Sequence, residues 1–182
     1  MIALQILSLP FGEMLAGVSG SGICLLEYFE NGRTEMQLPR LERVFGERTA
    51  NAPNSLFDAL EVELSEYFTG KRKVFDLPLD IRGTTFQVNS WNALLEIPYG
   101  QTRSYAEQAE RIGNKNAVRA VANANRNNRI SIIVPCHRVI GKNGTMTGYG
   151  GGIERKEFLL ELEGAKTSTR PTKQMSLALS QK

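Results

Sequence analysis

The chain of 182 residues contains only two cysteines, one histidine and one tryptophan. Two cysteines form at most one disulfide, and a chain of this length can bury a sufficient core without it, so we expect a reduced, cytoplasmic protein. Structural zinc usually takes four Cys or His ligands at short spacing, so the sequence predicts no metal site. No apolar run approaches the roughly 18 residues of a membrane-spanning helix, and the apolar N-terminus lacks a basic region, so we expect neither a membrane segment nor a signal peptide.

Charge is unevenly distributed along the chain. Residues 1–85 hold 8 Lys or Arg against 12 Asp or Glu, whereas residues 86–182 hold 14 against 7. The C-terminal half is therefore net +7 beside an acidic N-terminal half, which favours a polyanion as its partner. A basic tail is the alternative explanation, because four of these charges follow residue 165: Lys166, Arg170, Lys173 and Lys182.

The sequence of the N-terminal half predicts a sheet with one helix. Three short apolar runs, IALQILSL, EMLAGVS and GICLLEYF, predict a small antiparallel sheet. Cys24 lies inside the third run and is interpreted as a small buried side chain. Asn54 or Ser55 is expected to cap a helix through LFDALEVELSEYF that stops at Gly70. The segment KRKVFDLPLDIRG is then predicted to be a strand plus linker.

The sequence of the C-terminal half predicts a mainly helical structure. After a helix over FQVNSWNALLEI, the capping box S-Y-A-E predicts a helix that begins at Tyr105 and closes at Gly113. Asn114 or Asn116 is expected to cap the next helix, AVRAVANANRNN. A helix, a short glycine-containing turn and a second helix are typical of a helix-turn-helix.

The second helix of this pair has an unusual composition. Residues 116–129 include no acidic residue and consist mainly of alanine, asparagine and arginine. Arg119 and Arg126 are seven residues apart and share a face. Arginine and asparagine bond phosphates and base edges, and small side chains allow close approach to another surface. A solvated alanine-rich helix is the alternative on composition alone.

The run V-P-C-H-R-V places the only histidine, His137, directly beside Cys136. The preceding ISIIVP predicts a buried apolar strand that delivers the thiol. A thiolate is a strong nucleophile, and a histidine with a carboxylate can lower the thiol pKa from its usual value of about 8.5. Adjacent residues on a strand point to opposite faces, so contact within the pair would need a tight turn or a bridging water. Spacing alone leaves catalysis and chance proximity both open.

Beyond the histidine, Asn143–Gly144 predicts a tight turn, several glycines surround Tyr149, and a last helix, IERKEFLLELE, ends at Gly164. The segments IIVPCHRVIGKNGTMTGYGGGIERKEFLLELEG, SYAEQAERIGNKNAVRAVANANRNN and GVSGSGICLLEYF together resemble the O6-alkylguanine-DNA alkyltransferases, also called methylated-DNA–protein-cysteine methyltransferases. The resemblance covers about residues 1–165.

This resemblance implies an α/β fold in two domains. Residues 1–82 would form a small N-terminal sheet-plus-helix supporting domain. Residues 83–165 would form a mostly helical DNA-binding alkyltransferase domain with a helix-turn-helix and an active-site loop. Residues 166–182 would be a flexible tail.

The resemblance also assigns the chemistry. Cys136 would accept the alkyl group, and His137, acting through a water, together with Glu163 would keep it as a thiolate. Asn128 would be the hinge between the helix-turn-helix and the active-site loop. No metal and no cofactor are implied.

The substrate contacts follow by the same resemblance. Tyr105 would act on the flipped guanine and the turned phosphate, and Tyr149 would line the pocket. The carbonyls of Cys136 and Val139 would accept from the exocyclic amine of guanine, and the backbone N–H of Gly150 would bind O6.

On the DNA side, Arg119 would fill the gap that the flipped base leaves in the stack, and Arg126 and Asn123 would contact the duplex. The chain departs from the family pattern at Arg129, because the hinge asparagine is usually followed by proline. The recognition helix departs at Ala122, Asn123 and Asn125, so its minor-groove contacts are expected to differ.

The implied function is repair of double-stranded DNA. The protein, as a monomer, would flip O6-alkylguanine from the duplex and transfer the alkyl group irreversibly to Cys136, once per molecule. O4-methylthymine is left open as a second substrate. Two alternatives are kept: a lesion binder without transfer, which Cys136 disfavours because such relatives carry tryptophan there, and a Cys-His hydrolase that does not use DNA.

Overall fold

The helices and strands of the chain fall into two units. The structure, a computed structural model, describes residues 1–10, 12–29 and 33–166. The first unit combines Met1–Gly83 with the short segment Arg129–Ser131, and the second combines Thr84–Asn128 with the chain from Ile132 onward. The predicted tail lies, from residue 167, outside the described residues. Among the described helices, none is long and apolar enough to cross a membrane.

The first unit is built on a four-stranded sheet, as the alternating apolar runs predict. Its strands are β1 (Ile2–Leu9), β2 (Gly12–Ser19), β3 (Gly22–Tyr28) and β4 (Thr49–Asn51). The spatial order is β3-β2-β1-β4, with antiparallel pairing of β1 with β2 and β2 with β3 and parallel pairing of β4 with β1. Cys24 is 2% exposed in this sheet, which confirms its interpretation as a buried side chain.

Two helices accompany the sheet. Helix α1 (Arg33–Phe45) was not predicted from the sequence, because Pro39 inside it interrupts the helical pattern. Helix α2 (Ser55–Phe68) begins at its predicted cap, since the Asn54 side chain accepts a hydrogen bond from the backbone N–H of Leu56.

The predicted strand within residues 71–83 is wrong. This segment pairs with β3 only through a single bridge between Leu79 and Ile23. Pro78, which has no N–H to donate, contributes only its carbonyl, which accepts from the N–H of Ile23 at 2.8 Å.

The second unit is mainly helical, as predicted. Its helices are α3 (Thr85–Leu95), α4 (Tyr105–Arg111), α5 (Val118–Arg126) and α6 (Ile153–Leu162). A parallel pair of two-residue strands, β5 (Arg103–Ser104) and β6 (Val139–Ile140), joins the start of α4 to the segment that follows Cys136. The capping box at Ser104 is present, with the Ser104 side chain bound by the N–H of Glu107.

The start of α5 differs from its prediction. Neither Asn114 nor Asn116 caps it: the N-cap is Ala117, which makes no side-chain hydrogen bond. Asn125, one of the departures from the family pattern on this helix, is buried and exchanges two amide hydrogen bonds with Gln108 of α4, at 2.7 and 3.1 Å. An asparagine used in this way orients α5 against α4 rather than reading DNA.

The predicted strand before Cys136 is also wrong. After Ile130 the chain turns, and Ile132 takes a left-handed conformation with φ of 73°. A β-branched residue rarely adopts this conformation, which is incompatible with a strand. The apolar composition of the run indicates that it is buried, but it does not determine strand geometry. Cys136–Arg138 then form a single turn of 3-10 helix.

Candidate active site

The 3-10 turn explains how adjacent residues can serve one site. In a turn with three residues per repeat, neighbouring side chains are separated by about 120° instead of pointing to opposite faces. Cys136 is 7% exposed and His137 is fully buried, and neither Cys136 nor Cys24 forms a disulfide. The tight turn that the sequence argument required is therefore present.

Glu163 is the centre of a buried polar network at the end of α6. Its carboxylate accepts from His137 Nε2 at 2.9 Å and from Arg138 Nε and Nη2, each at 2.9 Å. The N–H of Gly100 donates at 3.1 Å to Oε2 of the same carboxylate, the oxygen that also accepts from Arg138 Nε. Position 100 requires glycine, because its φ is 75° and a Cβ there would lie 2.7 Å from the Glu163 carbonyl oxygen.

The electrostatics of this network fix the state of the histidine. Burial alone would raise the pKa of Glu163, but His137 and Arg138 outweigh it and lower that pKa to about 2. Burial lowers the pKa of His137, so the ring is neutral near neutral pH. An ionised carboxylate only accepts hydrogen bonds, so Nε2 carries the ring proton and Nδ1 keeps its lone pair. Nδ1 has no hydrogen-bond partner among the described residues and is available as a base.

Asn128 contacts the sulfur directly. Its side-chain amide donates to Cys136 Sγ at 3.3 Å and to the carbonyl of Val134 at 2.8 Å. The residue is 5% exposed and immediately follows the α4–α5 pair. An N–H donor on the sulfur stabilises the thiolate relative to the thiol.

Lys156 is a site residue that the sequence argument missed. Although it is a lysine, it is fully buried, and its ammonium donates to the carbonyls of Val139 and Thr147 at 2.5 and 2.8 Å. Burial lowers its pKa to about 8, while the Cys136 thiol opposes that shift. Lys156 in α6 and Glu163 at its C-cap are seven residues apart and both buried, so they follow one side of the helix. This spacing is the signal that could have identified Lys156.

The predicted pocket residues surround this network. Tyr105 donates through its hydroxyl to the carbonyl of Thr147 at 3.0 Å, and its ring lies 6.0 Å from the Lys156 ammonium. The rings of Tyr149 and His137 meet edge-to-face with centroids 6.5 Å apart. Gly150 follows in the same partly buried loop.

The two carbonyls expected to receive the guanine amine already have one donor each. Cys136 O accepts from the N–H of Val139, and Val139 O accepts from Lys156. Each carbonyl has two lone pairs, so a second donor can still be accommodated.

The predicted DNA contacts lie elsewhere, on the surface of α5. Arg119, Asn123 and Arg126 are all exposed, and their spacing of four and three residues puts them on one face. The opposite side of the helix buries Val121 and Ala124. The helix therefore separates a packing face from a basic polar face.

Comparisons with known proteins agree with this arrangement. The family model for the 6-O-methylguanine DNA methyltransferase, ribonuclease-like domain, matches residues 5–81, and the model for the DNA binding domain of the same methyltransferase matches residues 85–165. The methylated-DNA–protein-cysteine methyltransferase of Methanosarcina barkeri is 42% identical over 159 residues, which cover 87% of this chain and 95% of that protein. The chain belongs to this methyltransferase family.

Two further relatives extend the comparison. The methylated-DNA–protein-cysteine methyltransferase of Mycobacterium tuberculosis is 60% identical over 104 residues, which span 57% of this chain and 63% of that protein's length. A crystal structure of Mycobacterium tuberculosis OGT in complex with DNA matches with a TM-score of 0.75 and 42% identity, covering 89% of this chain and 92% of that one. The expected two-part α/β fold is thereby confirmed.

Proposed function

We propose that the protein repairs double-stranded DNA by transferring the alkyl group of O6-alkylguanine to its own Cys136. The observation that carries this proposal is the buried network in which Asn128 donates to Cys136 Sγ and Glu163 fixes the tautomer of His137. The relatives named as methylated-DNA–protein-cysteine methyltransferases, and the DNA complex of one homologue, support both the reaction and the partner.

In the proposed reaction His137 Nδ1 takes the thiol proton through a bridging water. The resulting thiolate attacks the alkyl carbon, a sulfur–carbon bond forms, and the bond from that carbon to O6 breaks with its electron pair left on guanine. Asn128 stabilises the thiolate, and Lys156 supplies a positive charge beside it. The thioether is not hydrolysed, so each molecule reacts once.

On the nucleic acid side, α4 and α5 would act as a helix-turn-helix. Arg119, Arg126 and Asn123 would face the duplex, and Arg119 would occupy the space that the flipped base vacates. Tyr105, Tyr149 and the backbone of residues 139 and 150 would hold the flipped guanine. Flipping is required because the alkyl group cannot be reached inside the duplex. We propose that the protein acts in the cytoplasm as a monomer.

The experiment that tests the function is intact mass after incubation with duplex DNA containing O6-methylguanine. One methyl group should be gained, on the peptide that contains Cys136. Cys136→Ser should still bind the DNA and gain nothing, because a serine hydroxyl is far less ionised than a thiol near neutral pH. Cys24→Ser is the matched control and should react like the wild type, since burial raises the pKa of Cys24 to about 12.

Each other outcome would support a different function. Binding without any mass change would indicate a lesion binder, and catalytic turnover of an ester or peptide would indicate a hydrolase. An unchanged methyl gain in Cys136→Ser would contradict the assignment of the acceptor.

A further inference from the structure

The outer edge of β3 is covered by two short segments from distant parts of the chain. Near the start of the strand, Ile23 exchanges backbone hydrogen bonds with Pro78 and Asp80, both at 2.8 Å. Near its end, the N–H of Leu26 donates to the carbonyl of Arg129 at 2.7 Å, and the N–H of Ser131 donates to Leu26 at 2.8 Å. Arg129–Ser131 therefore extend the first unit's sheet, although the residues on both sides of them belong to the second unit.

The Arg129 side chain ties these two edge segments together. Its Nη1 donates to the carbonyl of Arg82 at 2.8 Å. Arg82 is itself held in place, because its guanidinium makes two 2.9 Å hydrogen bonds to the Asp80 carboxylate and lies 4.5 Å from the ring centroid of Phe45. Burial lowers the pKa of Arg129, with Cys24 and Glu27 opposing that shift, so the guanidinium is partly removed from water. A hydrogen bond from a desolvated charged donor is stronger than a solvated one.

The anchored segment lies between the donor to the sulfur, Asn128, and a residue with an unusual backbone conformation, Ile132. Asn128, the donor to Cys136 Sγ, immediately precedes Arg129. Ile132, which follows Ser131, holds a φ of 73°. Such a conformation is strained for a β-branched residue and persists only where the surrounding structure enforces it. Residues 129–131, which are hydrogen-bonded to β3, lie directly before Ile132 in the chain.

We infer that Arg129 is a positioning residue for alkyl transfer, which rests on the function proposed above. By fixing residues 129–131 against the sheet through Arg82, it sets the place of the Asn128 amide and so keeps a donor on the Cys136 sulfur. Arg129 occupies the position at which the family pattern has proline. The hydrogen bond from its side chain to the Arg82 carbonyl therefore takes the place of the backbone restriction that a proline ring imposes.

The test uses Arg129→Met, which keeps the aliphatic stem and removes the donors. The readout is the rate at which iodoacetamide alkylates Cys136 between pH 5 and pH 9, about the range in which a perturbed thiol ionises, followed on the Cys136 peptide by mass spectrometry. We expect alkylation near neutral pH to slow by about tenfold and the midpoint of the pH profile to rise, as for the loss of one hydrogen bond to a charged sulfur. The other ionisable groups near the sulfur, His137, Lys156 and Tyr105, are unchanged in this variant.

Arg72→Met is the matched control. Arg72 lies in the same unit and also donates to a backbone carbonyl, that of Val74 at 2.9 Å, but it is far in sequence from Asn128. We expect it to lower the free energy of unfolding in urea without moving the pH profile. Arg129→Lys, which keeps one donor and the charge, should recover part of the wild-type rate.

A double variant decides whether Arg129 acts through Asn128. In the Asn128→Ala background, Arg129→Met should have no further effect on alkylation. Multiplicative losses, or a wild-type pH profile in Arg129→Met, would overturn the inference and leave Arg129 a stabilising residue only. Because iodoacetamide needs no DNA, failure of this inference is distinct from failure of the proposed function, which the methyl-transfer experiment tests separately.

Discussion

At the scale of single residues, the acidity of Glu163 sets how the site responds to pH. The folded-state pKa of about 2 lies below the ordinary value of 4.5, so the carboxylate contributes stability that is present above about pH 4.5 and is lost as the pH falls toward 2. We expect the side-chain carboxyl resonance of Glu163 to titrate with a midpoint near 2. Arg138→Met should raise this midpoint, because three guanidinium hydrogen bonds to the carboxylate disappear. A midpoint near 4.5 in the wild type would contradict the ion pair.

His137 and Glu163 are expected to act as one unit. The Glu163 carboxylate accepts the hydrogen bond that holds the ring proton of His137 on Nε2, which leaves Nδ1 as the base. Removing either residue therefore removes the same base. The single variants His137→Gln and Glu163→Gln should each slow methyl transfer. The double variant should be no slower than the worse single variant, measured by single-turnover kinetics on methylated duplex. A loss equal to the product of the two single losses would indicate independent roles.

At the scale of helices and strands, the base-flipping role proposed for α5 can be tested apart from the alkyl transfer itself. Arg119 is exposed on the face opposite Val121, among small side chains that allow close approach to the groove. If its planar guanidinium replaces the flipped base, Arg119→Ala should strongly slow repair of duplex DNA but barely change reaction with free O6-benzylguanine, which needs no flipping. Arg119→Lys should recover only part of the duplex rate. An unchanged ratio of the two rate constants would make Arg119 a phosphate contact or a solvated charge.

The sequence predicts best those helix boundaries that are set by interactions between residues close together in the chain. The caps Asn54 and Ser104 are confirmed because a capping hydrogen bond involves residues only two or three positions apart. The helix with Pro39 and the cap at Ala117 were missed, because neighbouring packing overrides the local preference there. The apolar run before Cys136 predicted burial correctly and strand geometry wrongly.

The residues of the candidate site were also predicted only in part. The P-C-H-R motif identified Cys136 and His137, and the resemblance supplied Glu163 and Asn128, which the structure brings together with them. Lys156 was missed, because burying a charged side chain depends here on carbonyls from strand β6 and from the loop that follows it, which no short motif reveals. The roles of all these residues stay predictions until the variants are measured.

At the scale of the whole molecule, the uneven charge predicts how binding responds to salt. The C-terminal half carries a net +7, and Arg126 lies on the exposed face of α5. The logarithm of the affinity for undamaged duplex should fall linearly with the logarithm of the salt concentration, as counterions are released. Arg126→Ala should reduce that slope by about 1 if the side chain neutralises one phosphate. Arg72→Met, in the acidic half, should leave the slope unchanged.

The pairing of Leu26 with Ile130 also fixes an order of events during synthesis. Translation delivers the chain from its N-terminus, so β3 leaves the ribosome about one hundred residues before the segment that completes its edge. Until then the backbone groups of Leu26 are exposed to any other extended chain. The proposed nucleophile, Cys136, emerges only five residues after Ser131. The nascent protein therefore closes its sheet and acquires the proposed acceptor thiol at nearly the same moment.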